Sequence, residues 1–257
     1  MELVIVPLVA FAASWLTFLS GFGLGTLLTP AFLLFFPVEV AVASTAVVHL
    51  LNNLFKLALV GRHARRDVVL RFGLPALVAA FLGALVLVAL AGMRPLFSYR
   101  SFGREFDVVP LELVVAVLLA GFTLLEAVPS RRERGFDRRH LPIGGLLTGF
   151  VGGISGQQGA LRSAFLVKLG ISKEAYLGTG VVIACMVDVA RLPVYVRHLA
   201  KARLVDHAIL LVAATAAAFA GAWLGNRLLK KVTMQLIQRV VTAMLLLIAV
   251  ALGAGVL

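Results

Sequence analysis

The long apolar runs constrain this chain more than any other feature in it. About eight stretches of roughly 20 apolar residues follow one another between residues 3 and 257, parted by short polar loops. A helix of that length crosses the roughly 30 Å hydrocarbon core of a bilayer, at about 1.5 Å per residue. A soluble domain has no means of hiding so much apolar surface. Of 257 residues, 61% are hydrophobic and only 14% are charged, against roughly 25% charged in soluble domains. The expectation is an all-α polytopic membrane protein.

The net charge of +12 would mark a nucleic-acid binder in a soluble domain. Here the Lys and Arg residues lie mostly between apolar runs. That pattern reads as the positive-inside signal plus contact with anionic headgroups, with no role for nucleic acid. The loops after the second, fourth and sixth runs carry twelve basic residues and the opposite loops nine. This bias places both termini in the cytoplasm of a cell whose inner membrane holds the chain. No basic residue precedes Lys56, so the first run reads as a retained span rather than a cleaved signal. The single cysteine, Cys185, rules out an intrachain disulfide. No cofactor or metal is expected, and a homo-oligomer is compatible with the composition.

Taken in order, the first span covers residues 3–36 and breaks at Gly21-Phe-Gly-Leu-Gly25; Pro37 ends it. The second covers 40–60, the third 72–92 and the fourth 111–128, with a surface excursion over 93–110. A basic linker over 129–141 follows. The fifth span covers 142–169 and breaks at Gly152-Gly-Ile-Ser-Gly-Gln-Gln-Gly159; the rest cover 175–196, 207–225 and 236–257. The halves, 1–128 and 142–257, repeat one another: Gly25 and Gly159, like Thr45 and Thr179, stand 134 positions apart. Two repeated four-helix halves would be related by an axis along the membrane normal, each with its first helix broken at glycines.

Glycine lets a backbone leave the helix, and lipid tolerates such a break only where protein or a watery cavity satisfies the freed amides. Paired breaks in two halves therefore point to a transporter's binding site. The polar residues point there too. His49, Asn52, Asn53 and Lys56 have i, i+3, i+4, i+7 spacing and share one helical face. Asp188 and Arg191 can pair at i, i+3. Arg162 follows the second break, where a helix N-terminus already supplies positive potential, so it calls for Asp188 or an anionic ligand beside it. Gln157, Gln158, Gly159 and Ser163 complete a candidate oxyanion cradle. Gly25, Thr26 and Thr29 offer a second, uncharged one. Lys56, Arg162 and Arg191 outnumber Asp188 in the interior, and an anionic substrate would balance them.

With Ala43-Ser-Thr45 after the first glycine cluster and Leu177-Gly-Thr-Gly180 after the second, the chain resembles the TauE/SafE family of sulfite-exporter-like permeases. The resemblance covers nearly the whole sequence. It implies a secondary transporter, an exporter of small sulfur-containing or organic anions such as sulfite or sulfonates, with protons as the coupling ion. It adds Thr45 and Thr179 to the candidate substrate-binding residues. The chain departs from the pattern at Gln157, Gln158, Arg162 and Ala164, a set able to tune the choice of anion. Two other readings compete. An anion channel is one. An intramembrane serine hydrolase is the other, with Gly153-Ile-Ser155-Gly156 as its nucleophile motif and His49 as base; four residues in a chain with 24 glycines are a weak motif, and the expectation is no enzyme.

Overall fold

A computed structural model describes residues 1–20, 23–101, 103–127, 138–198, 206–227 and 235–256. Its elements in order are α1 (Glu2–Ser20), α2 (Leu24–Leu33), α3 (Val38–Val60), α4 (Arg66–Val68), α5 (Leu74–Ala91), the strands β1 (Phe97–Ser101) and β2 (Arg104–Val108), α6 (Pro110–Ala127), α7 (Leu141–Ser155), α8 (Gly159–Leu166), α9 (Lys173–His198), α10 (Ala208–Arg227) and α11 (Gln235–Gly253). Gly21 and most of the 129–141 linker lie outside the described residues.

Four helical segments, Val38–His63, Arg66–Ala91, Lys173–His198 and Ala208–Arg227, are long and apolar enough to cross a bilayer, and shorter apolar helices accompany them. Their polarity runs inside out. Arg66–Ala91 has a mean hydropathy of 2.6 and is 33% buried, whereas Val38–His63 has 1.4 and is 67% buried. Lipid solvates Leu74, Val78, Phe81 and Leu82 on α5 or Ile209 and Val212 on α10, all exposed. The polar groups of α3 and α9 must instead find partners within the protein. The chain is a helical, multi-pass membrane protein with its polar residues on the innermost spans.

Small residues set the helix contacts. Gly145, Gly149 and Gly153 recur one turn apart on α7, and a methyl at any of them would run into the carbonyl of Phe72, Ala76 or Ala80. Backbone meets backbone there, the usual way helices associate where hydrophobic driving force is absent. This seam holds in place the stretch that leads into the second glycine break. α1 packs chiefly on α10, α6 on α11 and α3 on α9.

Two features depart from expectation. The third span starts at Arg66 rather than Phe72, through a π-helical turn at Val69–Gly73. Pro75 explains the turn, because it lacks the N–H that would bond the carbonyl four residues back and its ring crowds that carbonyl. The excursion over 93–110 contains a β-hairpin, so the described chain is not wholly α. Phe97 pairs with Val108 and Ser101 with Arg104, and Gly103 turns the corner at φ 76°. Tyr99 stacks on Phe106 with ring centres 5.4 Å apart and donates to the Ala254 carbonyl at 2.7 Å. The hairpin is thereby tied to the end of α11.

At the start of the third span, Asp67 accepts from Arg65 at 3.2 Å and from Arg138 at 3.3 Å.

Candidate functional site

The two glycine breaks touch. α1 ends at Ser20 and α2 starts at Leu24; α7 ends at Ser155 and α8 starts at Gly159. A side chain on Gly23 would stand 2.9 Å from the Gly159 Cα, and one on Gly25 would strike the Gly156 carbonyl oxygen. Only hydrogen fits in this contact. Gly156 is left-handed at φ 78°, a conformation that L side chains disfavour.

Behind the second break lies a network of buried charge. α9 presents Asp188, Arg191 and Tyr195 along one face, at i, i+3 and i+7. Arg191 donates to Asp188 Oδ1 through Nε at 3.0 Å and Nη2 at 2.8 Å. Its remaining Nη1 donates to the Gly152 carbonyl at 2.9 Å, and the Tyr195 hydroxyl donates to the Gly153 carbonyl. These carbonyls belong to the last turn of α7, which lies at negative potential; the Gly152 carbonyl also accepts from the Gly156 N–H at 3.0 Å. The Arg191 cation therefore serves as a C-terminal cap, and α9 holds the break open in one geometry.

The other Asp188 oxygen, Oδ2, lies 2.6 Å from His49 Nδ1. Asn53 Nδ2 is 2.9 Å from His49 Nδ1 and 3.4 Å from Nε2. Gln158 bridges two charges: its Nε2 donates to Asp188 Oδ1 at 3.3 Å, and its Oε1 accepts from Arg162 Nη1 at 3.4 Å. Asp188 thus has Arg191, His49 and Gln158 around it, and it does not pair with Arg162. Among the described residues Arg162 forms no ion pair, although it is only 8% exposed.

Arg162 instead edges a cavity. The space admits water-sized molecules over about 40 Å³ and is bordered by His49, Asn53, Lys56, Arg162, Tyr176 and Thr17, with Gly23 and Leu24 at the start of α2. That is room for a few waters, or one small oxyanion in their place. Lys56 donates to Thr17 Oγ1 at 3.4 Å. Among the described buried residues, three cations (Lys56, Arg162 and Arg191) accompany one carboxylate, Asp188. At an effective dielectric constant of about 20, a unit anion about 4 Å from a cation gains about 4 kcal/mol, roughly a thousandfold in affinity. Two basic side chains, Lys56 and Arg162, thus border one cavity.

The remaining sequence candidates separate around this centre. Asn52 hydrogen-bonds Ser14 on α1 at 3.1 Å, so the α3 stripe is buried together yet serves two neighbours. Ser163 hydrogen-bonds Tyr176 at 2.7 Å. Thr179 accepts from the Arg65 N–H at 2.9 Å and so anchors the loop before α4. Gly25 and Gly159 form the contact between the breaks. Thr26, Thr45 and both amide atoms of Gln157 are buried with no hydrogen-bond partner among the described residues. Ser155 donates to the Val151 carbonyl at 3.0 Å, and no hydrogen bond joins it to His49, which is engaged with Asp188. Tyr176, Thr17 and Tyr195 escaped the sequence reading. Tyr176 carried a signal, since it stands four residues, one turn, before Gly180 on the cavity face of α9.

A family model described as Sulfite exporter TauE/SafE matches residues 6–252 of the chain. No curated protein and no solved structure matches it. The match takes in both glycine breaks, the polar spans α3 and α9 and the cavity between them. The chain belongs to the sulfite exporter TauE/SafE family.

Proposed function

We propose that this protein is a proton-coupled secondary transporter that exports small sulfur-containing oxyanions, of the sulfite and sulfonate class. The observation that carries the reading is the cavity bordered by Lys56 and Arg162: Arg162 has no ion pair among the described residues, because the buried carboxylate, Asp188, is held by Arg191 and His49. In this reading the anion sits between Lys56 and Arg162, and Asn53, Tyr176 and Thr17 orient it. His49 links the cavity to Asp188 and is the proton-coupling group. The chain would make eight crossings as two repeated halves around the 129–141 linker, with both termini in the cytoplasm and the inner membrane as its solvent.

The test is transport in proteoliposomes holding purified protein. Radiolabelled sulfite flux is expected to saturate and to follow an imposed pH gradient; unsaturable flux indifferent to that gradient sinks the carrier. Arg162→Ala is expected to weaken sulfite binding about a hundredfold or more, from the loss of one close cation. Unchanged binding in that variant would place the anion elsewhere. A thermal-shift panel of sulfite, sulfate, thiosulfate, sulfonates and carboxylates ranks the substrates.

A further inference from the structure

We infer that the contact between the two breaks is a second anion station, deeper along α2 than the Lys56–Arg162 cavity. The inference rests on the transport reading above and extends it from one site to a path of two.

Four polar side chains in or packed near the breaks lack partners among the described residues. Thr26, Thr29, Thr45 and Gln157 are each no more than 2% exposed, and none has a hydrogen bond among the described residues. Helical hydroxyls at membrane depth ordinarily bond the carbonyl one turn back. Thr123 does so to Leu119 at 2.7 Å, and Ser155 to Val151 at 3.0 Å. The hydroxyls at the break contact do not. A buried polar group left unsatisfied is costly, so a cluster of them implies something that pairs with them during function.

Their positions converge. The point where a Gly156 side chain would begin lies 3.2 Å from Thr29 Oγ1 and 3.3 Å from Arg191 Nη1. The matching point on Gly25 is 3.8 Å from Thr45 Cγ2, and that on Gly23 is 3.7 Å from Thr26 Oγ1. Neither α2 nor α8 has a side-chain N-cap, so both N-termini meet at the glycine contact with free amides. None of the four side chains borders the Lys56–Arg162 cavity, whereas Gly23 and Leu24 do. Thr26 and Thr29 therefore continue from the cavity along α2, about 4.5 and 9 Å beyond Gly23 at the helical rise.

The charge of the ligand follows from its neighbours. Hydroxyl and carboxamide oxygens would suit a cation equally well, but Arg191 stands beside Thr29 and the helix N-termini add positive potential. The station takes a small oxyanion, held by hydroxyl and amide donors in place of water.

The experiment compares Thr29→Val/Thr45→Val with Thr29→Ser/Thr45→Ser in proteoliposomes, using radiolabelled sulfite. The Val pair is expected to bind sulfite within about twofold of wild type while its flux falls about tenfold or more, the size of a lost hydrogen bond to a charged group. Its thermal stability should not fall, because valine removes unsatisfied groups; the Ser pair should keep its flux. Flux of the Val pair within about twofold of wild type overturns the second station and leaves the Lys56–Arg162 reading intact. Binding lost together with flux merges the two stations into one. A wild-type protein that neither binds nor moves sulfite overturns the transport reading itself.

Discussion

The two glycine breaks interrupt helices in similar ways and are finished in opposite ways. At the second, Arg191 and Tyr195 bond the Gly152 and Gly153 carbonyls at the end of α7, and the side-chain amide of Gln157 within the break has no partner among the described residues. At the first, the Thr26 and Thr29 hydroxyls face the contact unpaired. The end of α7 is therefore braced, whereas the contact that Thr26, Thr29 and Gln157 share keeps hydrogen-bonding capacity in reserve. The lesson concerns charge as much as glycine. Arg191 and Arg162 lie within one region, yet one completes a helix end and the other faces a cavity.

Three substitutions can break that contrast. Arg191→Leu should have the largest effect: it removes one partner of the buried ion pair with Asp188 and the side-chain bond to the Gly152 carbonyl, costing about 3–5 kcal/mol. The loss is read from unfolding in detergent, and Asp188→Asn in the same chain should recover part of it. Arg162→Ala, which removes no ion pair, should change stability far less. Equal losses for the two arginines would erase the distinction between brace and ligand cation.

Gly25→Ala tests whether the breaks need their contact. A methyl there meets the Gly156 carbonyl, and overpacking of this kind costs about 1–3 kcal/mol. Flux should be lost as well. Gly92→Ala is the control, since a methyl there meets nothing within 4 Å. Should Gly25→Ala transport like the control, the contact is dispensable.

His49→Asn should have the smallest effect on affinity and a clear one on pH response. His49 faces Asp188 and Asn53 directly, with Arg191, Arg162 and Lys56 as the nearby cations. Protonating its ring adds positive charge beside the cavity, so wild-type binding of a sulfonate, whose own charge is constant near neutrality, should tighten as pH falls. The Asn variant should keep its affinity within about threefold and lose that slope. An identical profile in both proteins removes His49 from proton coupling.

Much of this was legible in the residues. Apart from the start of the third span, helix ends fell within a few residues of expectation because glycine, proline and basic loops act locally. The i, i+3 spacing of Asp188 and Arg191 announced their pair for the same reason. The hairpin was missed although Phe97, Tyr99, Phe106 and Val108 alternate with polar neighbours around Gly103, because a loop between spans invites no search for strands. Thr17 and Tyr195 were missed because their partners, Lys56 and the Gly153 carbonyl, are remote in sequence.

Sequence alone determined that the chain enters a membrane, where its helices break and which residues carry charge into the interior. Each of these follows from composition over a turn or two of helix. Tertiary structure decided the partners. The sequence offered Asp188 two partners, Arg162 and Arg191; packing across 139 positions added His49, while the end of α7 drew Arg191 into place and left Arg162 facing the cavity. Electrostatic attraction is common to all three pairings; distance and orientation, set only when α3, α7 and α9 pack, select among them.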